Sequence, residues 1–213
     1  MYSLFFNLGK PRQKKRKRPS CPISLEADDF VVVLSSIQSR ALLLKHGFTV
    51  GLDDTHGTNK HAANLFLVTV PLPDGTTHFG AFIITSSPSA TAIARGLSCL
   101  KAQIPGWTPL AWIVDCALAE RLAIHMVFST SVVILLCVFH VIQAWRRALA
   151  THIGKKHPAY EPLVNALMKL AYRPTPILDD SFEVTSLCAI LENATGCHDH
   201  VTWLHKYLHT WFR

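Results

Sequence analysis

Charged residues are scarce in this chain: 16% of its 213 residues are charged, whereas 49% are apolar. A chain of this length and composition is expected to bury a hydrophobic core, as one domain of ordinary size with a small appendage. We expect no secretory signal peptide, because the apolar residues near the N-terminus form too short a stretch and precede the basic ones. The six cysteines have irregular spacings, which without such a signal indicates reduced thiols in an intracellular compartment.

Charge is missing altogether from residues 122–145, a stretch long enough to cross a bilayer as one helix. Histidine, glutamine and hydroxyl residues interrupt this stretch, however, and the Ser129-Thr130-Ser131 cluster is typical of a loop. We therefore predict a helix, a turn, a buried strand and a second helix in this region. The chain is not expected to have a membrane as a partner.

The basic residues are concentrated near the N-terminus. Residues 10–18 contain seven of the 21 Lys and Arg residues and no acidic one, and the 14 basic residues that remain equal the Asp and Glu residues in number. We expect residues 1–29 to form a disordered basic tail. A nuclear-import signal or a phosphate-binding arm is one interpretation of its central run, and a solvated charge run without a receptor is the alternative. That run consists of Lys14, Lys15, Arg16, Lys17 and Arg18.

Short apolar runs follow one another from residue 48 onward. Five of them predict strands, at residues 48–54, 65–72, 78–85, 110–115 and 132–136. Turn residues Asp74 and Gly75 join the second strand to the third as a hairpin. Helices are predicted after the third, fourth and fifth strands, at 88–104, 117–128 and 139–150. The first should begin at Ser87 as its N-cap and bury Ile93, Leu97, Leu100 and Ile104; the second carries Leu118, Leu122 and Met126 on one side.

This order of elements is similar to the ribonuclease H-like layout. It predicts an α/β fold with a mixed five-stranded sheet, in which three antiparallel strands are followed by two parallel ones, and with helices on both faces. We assign the core to residues 30–150 and a helical segment to residues 151–213. Residues 30–34 are a β-branched run that forms a further short strand or packs beside the core.

Two aspartates, Asp53 and Asp115, each end a strand-like apolar run. The first and fourth strands of the predicted sheet are parallel neighbours, so these carboxylates are expected side by side at one edge. Converging carboxylates suit a hard divalent cation, and the alternative is that each aspartate only caps a turn. Asp54 is the alternative to Asp53 as the carboxylate of this site. Side chains alternate along a strand, so the two aspartates are expected to point to opposite sides.

Three motifs in this order resemble those of Mutator-like element (MULE) transposases, over residues 30–150. They are Leu52-Asp53-Asp54-Thr55-His56-Gly57-Thr58-Asn59, Ile113-Val114-Asp115 and Leu136-Cys137-Val138-Phe139-His140. The resemblance implies a DDE-type DNA transposase with two Mg²⁺ or Mn²⁺ ions, for which Asp53 would be the first ligand and Asp115 the second. It also implies DNA as the partner, self-association, a nuclear location and no small-molecule cofactor.

Cys137 and His140 have three interpretations. The resemblance implies that they orient the helix after the fifth strand and shape the cleft. As zinc ligands they would need two more partners, for which Cys197, His198 and His200 are available. They are otherwise an ordinary core cysteine and a histidine at a helix start. His56 either lies near the same cleft or meets only solvent.

The third acid of the family's triad is the weak point of the resemblance. In the family it follows a helical insertion, and residues 151–213 resemble that insertion in a truncated form. Glu183 and Glu192 lie inside the segment, so we expect the third acid to be missing. Whether the chain is an active enzyme is therefore open. The alternative function is a catalytically inactive, transposase-derived nuclear module that binds DNA or protein.

Overall fold

Seven strands of this chain pair in one mixed β-sheet. The computed structural model describes residues 2–7, 30–55, 63–115, 117–172, 182–196 and 198–209. The strands are β1 Tyr2–Asn7, β2 Val31–Ser36, β3 Thr49–Thr55, β4 Asn64–Pro71, β5 Thr77–Thr85, β6 Ala111–Val114 and β7 Val133–Leu136. Their order across the sheet is β1-β2-β5-β4-β3-β6-β7. The class is thus mixed α/β.

The strand directions follow the predicted pattern. Strands β3, β4 and β5 pair antiparallel, whereas β3–β6 and β6–β7 are parallel pairs. All five predicted strands are present within one residue at each end. The hairpin between β4 and β5 is confirmed as well: Gly75 has a positive φ of 83°, and the backbone N–H of Thr76 donates to Asp74 Oδ1 over 2.9 Å.

Two strands extend the sheet beyond the five that were predicted. β2 confirms that the β-branched run at residues 30–34 is a strand, and it pairs antiparallel with β5. β1 pairs with the other side of β2, so the expectation of a disordered tail is wrong for Tyr2–Asn7. Without β1, the outer edge of β2 would leave backbone donors and acceptors unpaired, and the short, largely apolar β1 satisfies them. The basic run at residues 14–18 lies outside the described residues.

Three helices accompany the sheet: α1 Ile37–His46, α2 Ala90–Ala102 and α3 Leu118–Phe128. α1 was not predicted, although Ser36 supplies its N-cap by accepting from the Ser39 backbone N–H over 2.9 Å. α2 begins two residues later than predicted, because Ser89 caps it instead of Ser87. Its predicted apolar face is confirmed, since Ile93, Leu97 and Leu100 are buried in a core with sheet residues such as Trp112.

The second compact unit of the chain begins at Val138. It contains α4 Val138–His152, α5 Tyr160–Ala171, α6 Phe182–Thr195 and α7 His198–His209. The expected boundary, between residues 150 and 151, therefore differs from the observed one, because α4 packs with α5 within this unit. The helices enclose a separate hydrophobic cluster that includes Trp145, Leu149, Leu163, Leu167, Leu187, Leu191 and Leu204.

The charge-free stretch at residues 122–145 contains three elements instead of one long helix. It covers the end of α3, the strand β7 and the first half of α4, as predicted. No helix among the described residues has the length and apolar character needed to cross a membrane.

Candidate functional site

The parallel pair β3–β6 brings Asp53 and Asp115 to the same end of the sheet. Gly51 lies opposite Ile113 in the register of this pair. Asp53 and Asp115 each come two residues after that pair, in strands that run in the same direction. The predicted juxtaposition of the first and fourth strands is thus confirmed, and the two aspartates occupy equivalent positions along them.

Buried residues on both strands set this register. Val50 and Leu52 alternate with half-buried neighbours on β3, and Trp112 and Val114 do the same on β6. A slip of one residue would move these four core side chains to the opposite face, which makes such a slip costly. The position of Asp53 relative to Asp115 therefore follows from packing far from either carboxylate.

Asp115 is tied to the start of α3. Its Oδ1 accepts a hydrogen bond from the backbone N–H of Ala117, the N-cap residue of that helix, whose own side chain supplies no cap. An aspartate that satisfies a backbone N–H two residues later forms a local turn, which orients its carboxylate. The capping role considered for Asp115 is thus real, and it holds the group at the end of β6.

Glu120 is a third acidic side chain beside this pair, and sequence reasoning missed it. It lies in the first turn of α3 and is only 1% exposed. Neither of its carboxylate oxygens accepts a hydrogen bond from a residue that the structure describes. Burial and then the nearby charges of Asp115, Asp54 and Asp53 raise the pKa of Glu120 from the usual 4.5 to about 9.

A contact between Glu120 and Asp115 depends on a proton. Two ionised carboxylates cannot hydrogen-bond, because both are acceptors only. When Glu120 is protonated, its O–H can donate to Asp115, and this bond also raises the pKa of Glu120. The site thus keeps one carboxyl neutral at pH 7 in the absence of a cation, next to three aspartates.

The reason that Glu120 escaped prediction is the rotational phase of α3. The sequence analysis placed Leu118, Leu122 and Met126 on one side of α3, and in the structure this row is exposed. The buried row is Glu120, Ala123, Ile124 and Phe128. An acidic residue at helical spacing from three apolar ones, five residues after Asp115, was the available signal.

Asp53 and Asp54 lie on opposite sides of β3, as alternation predicts. Asp54 pairs across the sheet with the buried Phe66, and Asp53 with the half-buried Leu67. Asp54 therefore belongs to the side of Val50 and Leu52. Both aspartates act on Glu120, and the effect of Asp54 on its pKa is the larger. Geometry thus brings Asp54 into the neighbourhood of the site together with Asp53.

Cys137 follows β7, the neighbour of β6, and lies beside Asp115 across the sheet. Val114 pairs with Leu136, and the backbone N–H of Cys137 donates to the Val114 carbonyl oxygen over 2.7 Å. His140 lies in the first turn of α4, in the second unit, where its ring centroid is 5.4 Å from that of Phe139. The motif therefore spans the boundary between the two units.

The acidic side chains have the donor chemistry of a metal site. Carboxylate oxygens are the ligands that Mg²⁺ and Mn²⁺ prefer, and a buried carboxylate without a hydrogen-bond donor fits a site for a cation. As placed, however, no three Asp, Glu, His or Cys side chains of the described residues form a group that could hold a metal ion. The donor chemistry fits, and the arrangement falls short of a complete set of ligands.

The remaining candidates lie in the second unit or outside the described residues. Glu192 lies on α6, and its Oε1 is 3.9 Å from Nδ1 of His198. Glu183 also lies on α6. His56 and Cys197 fall outside the residues that the structure describes, as does the basic run.

Comparison with known proteins gives no family assignment. The chain matches no protein-family model, and no curated protein sequence is significantly similar to it.

Proposed function

We propose that this chain carries the catalytic domain of a DDE-type DNA transposase of the Mutator-like kind, built on a ribonuclease H-like sheet. Support for that sheet comes from the run β5-β4-β3-β6-β7, in which three antiparallel strands are followed by two parallel ones. The two additional strands, β1 and β2, lie outside this run at one edge. The three sequence motifs supply the resemblance to the family.

The observation that carries the proposal is the equivalent placement of Asp53 and Asp115 on β3 and β6. In metal-dependent phosphodiester chemistry, a pair of cations activates water or a 3′-hydroxyl and stabilises the leaving oxygen. Asp53 and Asp115 would hold the Mg²⁺ or Mn²⁺ ions. Strands buried on one face provide the rigid support that such a site requires.

Partners and location follow from the same proposal. The substrate is DNA, and transposition implies self-association of the chain. The basic residues 14–18 would serve nuclear import or contact with DNA phosphates. No small-molecule cofactor is part of the proposal.

The first prediction tests this function by cleavage of DNA. Purified protein is incubated with supercoiled plasmid and Mn²⁺, and nicked product is measured over time. Wild-type protein should nick the plasmid, and Asp53→Asn and Asp115→Asn should each lower the rate on the order of a hundredfold, because each variant removes a charged oxygen ligand. Asp199→Asn changes an exposed aspartate on α7 and should leave the rate unchanged. Equal rates for all four proteins would contradict the proposal.

A second candidate function is a non-catalytic nuclear module that binds DNA or protein. It is favoured by the finding that the described residues contain no three-ligand metal group as placed. Under this candidate, the wild-type protein would retain plasmid in a gel-shift measurement and leave it uncut. Binding would then be the same for Asp53→Asn, Asp115→Asn and wild type.

A further inference from the structure

We propose that the cavity between α6 and α7, in the second unit, binds a small amphipathic anion: a carboxylate on an unbranched apolar chain. The cavity has a volume of about 400 Å³, and side chains of both helices line it. Sites for small ligands commonly enclose about 300–1,000 Å³. The proposed function leaves this cavity without a role, and the inference does not depend on that function.

The inner wall of the cavity, formed by Val184, Cys188 and Val201, is apolar. Val184 is buried, whereas Cys188 and Val201 are half-buried. Burial, and then the charge of Glu192, raise the pKa of the Cys188 thiol, which is therefore neutral at pH 7. A neutral thiol behaves as a small apolar group, so this wall suits a hydrocarbon chain.

The exposed side of the cavity carries positive charge. Lys206 supplies the only permanent charge among the described residues that line the cavity, and no acidic side chain of that set lines it. His205 and Thr202, which are also exposed on α7, add groups that can donate hydrogen bonds. A cation beside an apolar wall complements a ligand that has an anionic head and an apolar body.

The order of residues along the two helices sets the direction of the ligand. Only two residues separate the end of α6 from the start of α7, so the helices run in opposite directions as a hairpin. Glu192 and His198 lie at the connected end, where Glu192 Oε1 is 3.9 Å from His198 Nδ1. Lys206 lies toward the other end. The carboxylate would therefore contact Lys206, and the chain would extend along Cys188 toward Glu192.

A DNA strand fits this cavity less well than an amphipathic anion does. Binding to a phosphate backbone commonly uses several Lys or Arg side chains, each of which neutralises one phosphate. Lys206 is a single such charge, and the apolar wall beside it offers a phosphate no hydrogen bond. The balance of one cation against three apolar contacts favours a single anionic group with a hydrocarbon tail.

The second prediction compares octanoate with octanamide by isothermal titration calorimetry on the full chain. The two probes share one apolar chain and differ in the charge of the head. Octanoate should bind wild-type protein about tenfold more tightly than octanamide, because only the carboxylate forms a charge-assisted hydrogen bond with Lys206. Lys206→Gln should abolish this difference by weakening octanoate binding alone, which isolates the contact between the two charges.

Two variants serve as comparisons. Lys169→Gln makes the same change of charge at an exposed position of α5 and should bind both probes as wild type does. Val201→Thr keeps the branched shape of the side chain and places a hydroxyl group in the apolar wall. It should weaken octanoate and octanamide equally, by about three- to tenfold, because both lose apolar contact.

Alkylation of Cys188 by N-ethylmaleimide locates the ligand. Octanoate should slow this reaction, measured by mass spectrometry of peptides, and should leave the rates at Cys99 and Cys137 of the first unit unchanged. The inference is overturned if octanoate does not bind, if Lys206→Gln binds it as wild type does, or if Cys188 is not protected. Protection of Cys188 by a short single-stranded DNA in place of octanoate would also overturn it, because the cavity would then belong to a DNA-binding surface.

Discussion

Gly96 lies where α2 packs directly against Ile83 and Val31 of the sheet. A Cβ atom built at this position would lie 2.3 Å from Cγ2 of Ile83 and 3.4 Å from Cγ1 of Val31. The third prediction is that Gly96→Ala destabilises the protein by about 1–3 kcal/mol, because overpacking outweighs the gain of about 1 kcal/mol that alanine brings to a helix interior. Denaturant unfolding followed by circular dichroism measures the change.

Ser98→Ala on the same helix is the matched control. Ser98 is only half-buried, so its replacement should change the free energy of unfolding by no more than about 0.5 kcal/mol. A Gly96→Ala protein as stable as wild type, or more stable, would show that the helix can move away from Ile83 without loss.

The candidate site residues differ in how clearly the sequence alone identifies them. Asp53 and Asp115 were identifiable because each interrupts an apolar run, where a charge requires a reason. Glu120 carries no such local mark, since a single glutamate in a helix is ordinarily solvated. Its burial follows from the way α3 packs into the core of the first unit, which depends on distant residues.

His152, the last residue of α4, packs against α7. Its ring stacks on Trp203 at 4.0 Å between centroids and lies 4.8 Å from the ring of His200. Nε2 of His152 is enclosed and has no hydrogen-bond partner among the described residues. Burial, and then the charge of His200, lower the pKa of His152 below its usual 6.5.

The fourth prediction is a loss of stability of these helices in acid. Because the pKa of His152 is lower in the folded state than in the unfolded state, its contribution is present above pH 6.5 and is lost as the pH falls below that value. Melting temperatures measured by circular dichroism from pH 7.5 to pH 5 should fall less steeply for His152→Gln than for wild type. Parallel curves for wild type and His152→Gln would show that this contact does not titrate with folding.

Elements were predicted well where two local signals agreed. The hairpin between β4 and β5 combined valine-rich runs with Asp74 and Gly75, and both strands were placed within one residue. α1, which was not predicted, follows β2 without an intervening loop. The capping serine Ser36 was the only local sign of the change, and single caps are common outside helices too.

Each of the two compact units has its own buried cluster, and the two clusters have no residue in common. The fifth prediction concerns Leu191, which is fully buried in the second cluster. Leu191→Ala should lower stability by about 2–5 kcal/mol, because it removes buried methyl groups and leaves a cavity. Hydrogen exchange followed by mass spectrometry should show faster exchange in α5, α6 and α7, with β3, β4 and β6 unchanged.

Ile190→Ala provides the comparison for this cavity. Ile190 is the preceding residue of α6 and is exposed, so its loss should cost less than about 1 kcal/mol. Faster exchange throughout both units in Leu191→Ala would show that the two clusters do not unfold separately.

The sequence by itself determined the class of the molecule, the five strands from residue 48 onward and the two aspartates that end neighbouring parallel strands. These features follow from short apolar runs, turn residues and strand alternation, all of which act over a few residues. The tertiary structure alone decided that β1 and β2 join the sheet, that α4 belongs with the second unit and that Glu120 lies beside Asp115. Edge pairing and the grouping of helices into units depend on contacts between residues far apart in the chain, which local patterns do not contain.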